Sequence, residues 1–207
     1  MKLTNDDLVI FIDRKFYNNT YLLINGNTCV VIDPSFNEDK INDYLSKKSL
    51  TLVGIILTHG HYDHIGNGFT LAKQHQVKIY AHVEEKTVIE EHHFASELGC
   101  VPNIDIALIK YFSGKTLVIG EFTFNVLLFK GHTPGGICLK YHDYVFSGDT
   151  IFYNSIGRTD LLLGNMNDMN ESIKKFKHSY DDNDWILPGH GTYGQFKDVK
   201  LSNPFLK

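Results

Sequence analysis

Apolar and polar positions along the chain follow two periods, and the changes from one to the other outline its elements. Short β-branched and aromatic runs at Leu8–Ile12, Tyr21–Ile24 and Cys29–Ile32 predict three strands, the last two joined by a turn at Asn25-Gly26-Asn27. Pro34 lacks the amide a ladder needs and ends the third. Ser35 and Glu38 have the spacing of a capping box, and Ile41, Tyr44 and Leu45 line one face of the helix it would open. A strand at Leu52–Leu57, a helix to about Gln74 with Ile65, Phe69 and Ala72 on one side, and a strand at Val77–Ala81 come next. Val83–Leu98 has helical spacing and carries Glu84, Glu85, Glu90, Glu91, His92 and His93, which read as a solvated face rather than a metal site. Residues 99–113 show no clear period.

Beyond them, Leu117–Ile119 and Phe122–Phe129 predict a hairpin around Gly120-Glu121, with Phe122, Phe124, Val126 and Leu128 alternating as a half-buried strand should. Ile137–Tyr141 and Tyr144–Ser147 predict a second hairpin. Asp168 and Glu171 repeat the capping-box spacing before a helix with Met169, Ile173 and Phe176 on one side, and Trp185–Leu187 predicts the last core strand. The outcome is an α/β chain with two strand-rich halves, each with helices to cover it.

Four of these strands empty into side chains of metal-binding type. Leu52–Leu57 runs into His59, His61, Asp63 and His64, Phe122–Phe129 into His132, Tyr144–Ser147 into Asp149, and Trp185–Leu187 into His190. Residues two apart in extended chain share a face, so His59 and His61 can grip one ion, while Asp63 and His64 stand where the chain bends into a helix and aim elsewhere. Sites in helix-covered sheets gather on loops at strand ends, which would bring all four loops to one rim.

Composition narrows the setting. At 207 residues the chain fits a single domain, 1–207, able to bury about 70% of its unfolded surface. A net charge of −4 without a Lys/Arg block argues against a nucleic-acid partner. The opening Met1-Lys2-Leu3-Thr4-Asn5-Asp6-Asp7-Leu8 holds neither a secretory signal nor a membrane span, and no membrane partner is expected. Cys29, Cys100 and Cys138 are too few and too scattered for a disulfide frame, which suits a reducing, cytoplasmic setting.

The candidate ligands divide into His59, His61 and His132 for one metal and Asp63, His64 and His190 for another, with Asp149 left to bridge both. Imidazoles with carboxylates suit two divalent ions, zinc first, with iron or manganese as alternatives. Each ion would then have four protein ligands and one place for a shared water or hydroxide. Four positive charges less Asp63, Asp149 and hydroxide leave about +1, enough to draw in an anionic substrate and polarise a carbonyl. Metal-assisted hydrolysis is the reaction class this favours, with Asp63 and Asp149 as its catalytic carboxylates.

Thr58-His59-Gly60-His61-Tyr62-Asp63-His64, Gly131-His132-Thr133-Pro134-Gly135-Gly136, Ser147-Gly148-Asp149-Thr150 and Pro188-Gly189-His190-Gly191 together resemble the motifs of the metallo-β-lactamase superfamily, in the right order. The resemblance implies a four-layer αβ/βα sandwich with a dinuclear site at one edge, and its ligand pattern agrees with the allocation above. True β-lactamases of the superfamily usually carry Cys where Asp149 stands, diiron oxygen reductases carry an acid where His61 stands, and tRNA-processing nucleases have an RNA-binding arm. The run from Phe146 to Asp160 is most similar to the glyoxalase II group, especially its short bacterial type II members. Asn19-Thr20-Tyr21 and Asp33-Pro34-Ser35 depart slightly from the group's N-C-Y and D-P-G.

The resemblance implies hydrolysis of a small anionic thioester of the S-lactoylglutathione kind by a metal-bridging hydroxide. The alternative within the superfamily is persulfide dioxygenation at a single iron held by His59, His132 and Asp149; behind both stands a non-catalytic metal-binding module. Only 16 residues follow Gly191, so no C-terminal helical region to hold glutathione is expected. Arg158 is expected to shape the substrate mouth or simply to pair with Asp160, and Tyr141 and Tyr193 are candidates to face the substrate. Asp33 is expected to orient a ligand histidine or to form a turn before Pro34. His75, His82, His142 and His178 are assigned to packing or surface.

Overall fold

The structure, a computed structural model, describes residues 7–91, 94–101 and 103–207. The readings of residues 1–6, of His92 and of His93 lie outside the described residues. Strands β1 (Leu8–Ile12), β2 (Asn19–Asn25) and β3 (Thr28–Ile32) form an antiparallel meander. Helix α1 (Glu38–Lys48) leads to β4 (Thr51–Ile56), and α2 (Tyr62–Ile65) and α3 (Gly68–His75) lead to β5 (Ile79–His82). Helix α4 (Lys86–Glu91) and β6 (Ile109–Phe112) complete the first sheet, ordered β1-β2-β3-β4-β5-β6 and parallel from β3 onward.

The second sheet comprises β7 (Thr116–Ile119), β8 (Phe122–Leu128), β9 (Ile137–Tyr141), β10 (Tyr144–Gly148), β11 (Trp185–Pro188) and β12 (Gly194–Gln195), with α5 (Met166–Phe176) before β11 and α6 (Phe196–Ser202) after β12. Its order is β12-β11-β10-β9-β8-β7, with one parallel pair, β10 on β11.

Side-chain alternation sorts each strand into two cores. Tyr21, Leu23, Val30 and Ile32 meet Phe122, Phe124, Leu139 and Phe146 between the sheets. Their neighbours Leu22, Val31 and Ile55 point outward and are covered by Ile41, Leu45, Phe69 and Ala72 of α1 and α3. On the far side, Cys138, Val145 and Ile186 lie under Met169, Phe176, Phe196 and Val199 of α5 and α6. Strands buried on both faces explain the near-continuous apolar runs, and each fully buried Phe or Leu contributes about 1.5–3 kcal/mol. The four layers are the expected αβ/βα sandwich. Among the described residues no helix is long and apolar enough to cross a membrane.

Local chemistry departs from expectation at both helix starts. Ser35 is buried at φ +50°, exchanges backbone hydrogen bonds with His64 and Asn67, and cannot cap α1, which starts after Asn37. Helix α5 starts ahead of Asp168, because the Asn165 side chain accepts from the amides of Asn167 and Asp168. The long helix expected at Val83–Leu98 is a 3-10 turn, Val83–Glu85, followed by the six-residue α4, and Glu85 is buried rather than solvated. The helix after the His-rich loop is split, α2 stopping at Gly66, which has φ +46°. The unpatterned stretch contains β6, an edge strand whose partial burial leaves it no clean alternation.

Candidate metal centre

Strands β4, β8, β10 and β11 deliver their following loops to one rim, and the seven predicted ligand residues meet there. Ligand atoms of His59, His61 and His132 lie within 4.8 Å of one another, as do those of Asp63, His64 and His190. Asp149 stands between the groups: Oδ1 is 3.3 Å from His64 Nε2, and Oδ2 is 3.6 Å from both His132 Nε2 and His190 Nε2. Asp63 Oδ2 lies 3.2 Å from His190 Nε2. Six residues of chain are enough to supply both groups because His61 ends extended backbone at ψ 145° and α2 starts at once, turning Asp63 and His64 away.

Partners of the far ring nitrogens decide which nitrogen is free. The Thr58 hydroxyl donates to Asp33 Oδ2 at 2.6 Å, so it accepts from His59 Nδ1 at 3.2 Å. His64 Nδ1 donates to Asp33 Oδ2 at 2.9 Å, and His132 Nδ1 donates to the Arg158 carbonyl at 2.7 Å. In their neutral form all three rings therefore turn a bare Nε2 toward the centre. His61 Nδ1 is 2.9 Å from His132 Nε2, a separation that requires a proton or a cation between the two nitrogens. His59 Nε2, His64 Nε2 and Asp149 Oδ1 are buried without a hydrogen-bond partner. Each such atom left unsatisfied costs about 1–3 kcal/mol, so three at one point make a site that fits cations.

Electrostatics divide the groups in the same way. Burial, and then His64 and His132, hold His59 well below the ordinary imidazole range, and burial with His132 lowers His61 to about 3. Both are neutral and carry lone pairs. Burial alone would lower His64 and His190, but Asp149 and Asp63 outweigh it and raise both, joined by Asp33 at His64. Burial pushes the carboxyls of Asp63 and Asp149 up, yet the facing histidines hold both below the carboxylate range.

Asp33 fills both roles expected of it. It turns the chain at φ +49° before Pro34, and its carboxylate takes the Thr58 amide at 2.8 Å as well as the Thr58 hydroxyl and His64. An asparagine side chain has one acceptor oxygen, so in the same place its amino group would face a donor. Asp33→Asn is expected to weaken metal binding at the Asp63–His64–His190 group about 10–100-fold, measured by chelator competition. Unchanged affinity with an unchanged fold would remove Asp33 from this role.

A cleft of about 400 Å³ opens over Asp63, His132, Asp149 and His190. Its walls are Phe94, Leu98, Phe152, Ile156 and Leu161, with Arg158 at the rim. Arg158 is indeed paired, its guanidinium giving two hydrogen bonds to Asp160 at 2.7 and 2.8 Å. The expectation for the two tyrosines is corrected. Tyr141 packs on Phe122 and Phe124 at the far end of β9, about 13 Å along the strand from Ile137 beside Thr58. Tyr193 packs on Trp185 and lines a separate hollow with Ile10, Ile12 and Tyr17. Both stand near the motifs in sequence, but the direction of β9 carries Tyr141 away, and the loop ahead of β12 turns Tyr193 into the separate hollow. His75 bonds Asn42, His82 caps its own turn, and His142 and His178 are exposed. Sequence reading puts Glu85 on a solvated face and passes over the apolar walls; no spacing signal marks either.

A sequence model described as the metallo-beta-lactamase superfamily matches residues 13–190, a span holding every residue of the centre. "Probable metallo-hydrolase YqgX" of Bacillus subtilis is 33% identical, covering 91% of this chain and 92% of that protein. "Hydroxyacylglutathione hydrolase GloC" of Haemophilus influenzae is 34% identical, covering 85% and 86%. The crystal structure of TTHA1623 in a di-iron-bound form superposes with a TM-score of 0.85 at 27% identity, covering 96% of this chain and all (100%) of that one.

Proposed function

The chain belongs to the metallo-beta-lactamase superfamily, generally metal-dependent hydrolases, and from that premise we propose that it is a cytoplasmic, dinuclear thioester hydrolase acting on small anionic hydroxyacyl thioesters of the S-lactoylglutathione kind. The observation that carries the reading is the pair of three-residue groups with Asp149 between them. In this reading His59, His61 and His132 would hold one ion, Asp63, His64 and His190 would hold the other, and Asp149 would serve both. When bound, such ions lower the pKa of water towards about 7 and polarise a carbonyl.

The rest falls to the chain itself. Asp63 and Asp149 cancel only two of the four positive charges, leaving a floor that attracts an anion. Phe94, Phe152, Ile156 and Leu161 keep water from the walls and orient the acyl end over that floor. A thiolate leaves without strong acid help, which matches a cleft whose titratable residues, the Asp160-paired Arg158 apart, are committed to the centre. The name of the relative GloC supports the hydroxyacyl substrate, the di-iron form of TTHA1623 supports a two-ion centre, and three free thiols support a reducing compartment. Zinc is the first expectation for the metal, iron or manganese the alternatives.

Arg158 already satisfies Asp160, so it offers the thiol end little. One lactoyl group carried on glutathione and on other small thiols should be hydrolysed with kcat/KM values within a thousandfold, about 4 kcal/mol. Elemental analysis of the same preparation should find close to two ions per chain. A thousandfold preference for glutathione would require a dedicated thiol pocket. One iron per chain, with oxygen consumed and sulfite formed from glutathione persulfide, would replace the hydrolase reading by a dioxygenase.

A further inference from the structure

We propose that Glu85 is a positioning residue, tying the loop that carries His59 and His61 to the loop that carries His132. The carboxylate is 1% exposed and ends the 3-10 turn before α4. Its Oε2 accepts the Gly60 amide at 2.7 Å and its Oε1 accepts the Gly135 amide at 2.6 Å. Gly60 lies between His59 and His61, and Gly135 stands three residues after His132. The first loop follows β4 of one sheet, and the second joins β8 to β9 of the other. One side chain therefore spans the seam at which the three imidazoles meet.

Both loops are shaped to receive it. A Cβ on Gly135 would lie 2.5 Å from the Glu85 backbone nitrogen, and one on Gly60 would lie 2.7 Å from Ile89 and 3.0 Å from Glu85 Oε2. The direct backbone link between the loops, Ile137 amide to Thr58 carbonyl at 3.0 Å, sits on the strand side of the histidines, and Glu85 supplies the link on the other. Burying a carboxylate is expensive, and burial pushes this one up to about 7 against the hydrogen bonds from the Gly135 and Gly60 amides. Glu85 belongs to none of the metal-capable groups among the described residues and does not line the cleft. Its two acceptor oxygens face two backbone donors, an arrangement only an acid satisfies. With Gln, one amide hydrogen would meet an amino group, and the spacing of His61 Nδ1 and His132 Nε2, 2.9 Å here, would be released.

The inference rests on the reading above only in that the His59–His61–His132 group takes an ion. The test titrates metal-stripped E85Q, E85D and E84Q with cobalt(II), following the absorption spectrum, thermal stability, and the imidazole nitrogen NMR shifts of the metal-free proteins. E85Q should bind the first ion about 10–100-fold more weakly, change the Asp63–His64–His190 group less than threefold, and shift the His61 and His132 resonances. E84Q, altering the exposed neighbour, should match the wild type. E85D keeps both oxygens on a shorter arm; it should fall between and serves if E85Q does not fold. Unmoved His61 and His132 resonances in the metal-free variants, or losses equal at both groups, would overturn the positioning role. Wild-type protein binding no ion at the three histidines would instead sink the two-ion reading, while the resonance comparison still judges Glu85.

Discussion

Asp149→Ala should leave a folded protein that holds neither ion with native affinity and loses at least about a thousandfold in kcat/KM, about 4 kcal/mol of transition-state stabilisation. The reason is position. Among the described residues, Asp149 alone brings its carboxylate to His132 of one group and His64 and His190 of the other, at 3.6, 3.3 and 3.6 Å. Removing it takes a ligand from both ions and a negative charge from a centre that must gather four positive ones. His190→Ala is the comparison: the carboxylates its Nε2 approaches are Asp63 and Asp149, and it is partly exposed, so its loss should chiefly empty the Asp63–His64–His190 group. Metal content per chain, read with thermal melting of the metal-free proteins, separates the outcomes. Two ions and normal turnover in Asp149→Ala would show that the carboxylate bridges nothing.

Gly189→Ala should cost at least about a hundredfold in kcat/KM with the secondary structure intact. A Cβ at Gly189 would lie 2.2 Å from Asp149 Oδ1 and 2.5 Å from His64 Cε1, distances real atoms do not sustain. Gly189 has no left-handed φ, so alanine fits its backbone torsions and the main conflict falls on those two side chains, with the Gly148 carbonyl carbon a lesser contact at 3.3 Å. Neither can retreat freely: both are buried, and Asp33 holds the far nitrogen of His64. A displacement near 1 Å at a reacting centre is worth about a hundredfold. Gly191→Ala is the control, with φ +78° and nothing within 4 Å of its Cβ. It should lower stability by about 1–2 kcal/mol while keeping the metals and the turnover. Circular dichroism, metal analysis and kinetics on the pair decide it; metal loss in Gly191→Ala but not in Gly189→Ala would mean that the Pro188–Gly191 turn acts through its backbone alone.

Much of the centre was legible before folding. His59, His61, Asp63 and His64 sit in one short run whose spacing dictates two directions, and His132, Asp149 and His190 each follow an apolar strand directly. Asp33 was legible only as one of two possibilities, because a turn-forming Asp and a histidine-orienting Asp look alike until Thr58 and His64 are placed beside it. Nearness in sequence to a motif says nothing about which end of β9 Tyr141 occupies, or which hollow the loop before β12 gives Tyr193.

What the sequence determined by itself rests on short-range geometry. Strand alternation at Phe122, Phe124 and Val126, helical spacing at Met169, Ile173 and Phe176, and metal-binding side chains at strand ends are set by neighbours a few residues away, so they survive in any context. Tertiary structure alone decided what depends on partners far along the chain. Asp33 reaches Thr58 and His64 across 25 and 31 residues, and Glu85 reaches Gly60 and Gly135 across 25 and 50. Ser35 lost its place as a cap because the folded chain commits its backbone to His64 and Asn67. A charged residue on a short helix is solvated by default, and only the approach of two loops from opposite sheets turns Glu85 inward, since burying a carboxylate requires donors that no local pattern can supply.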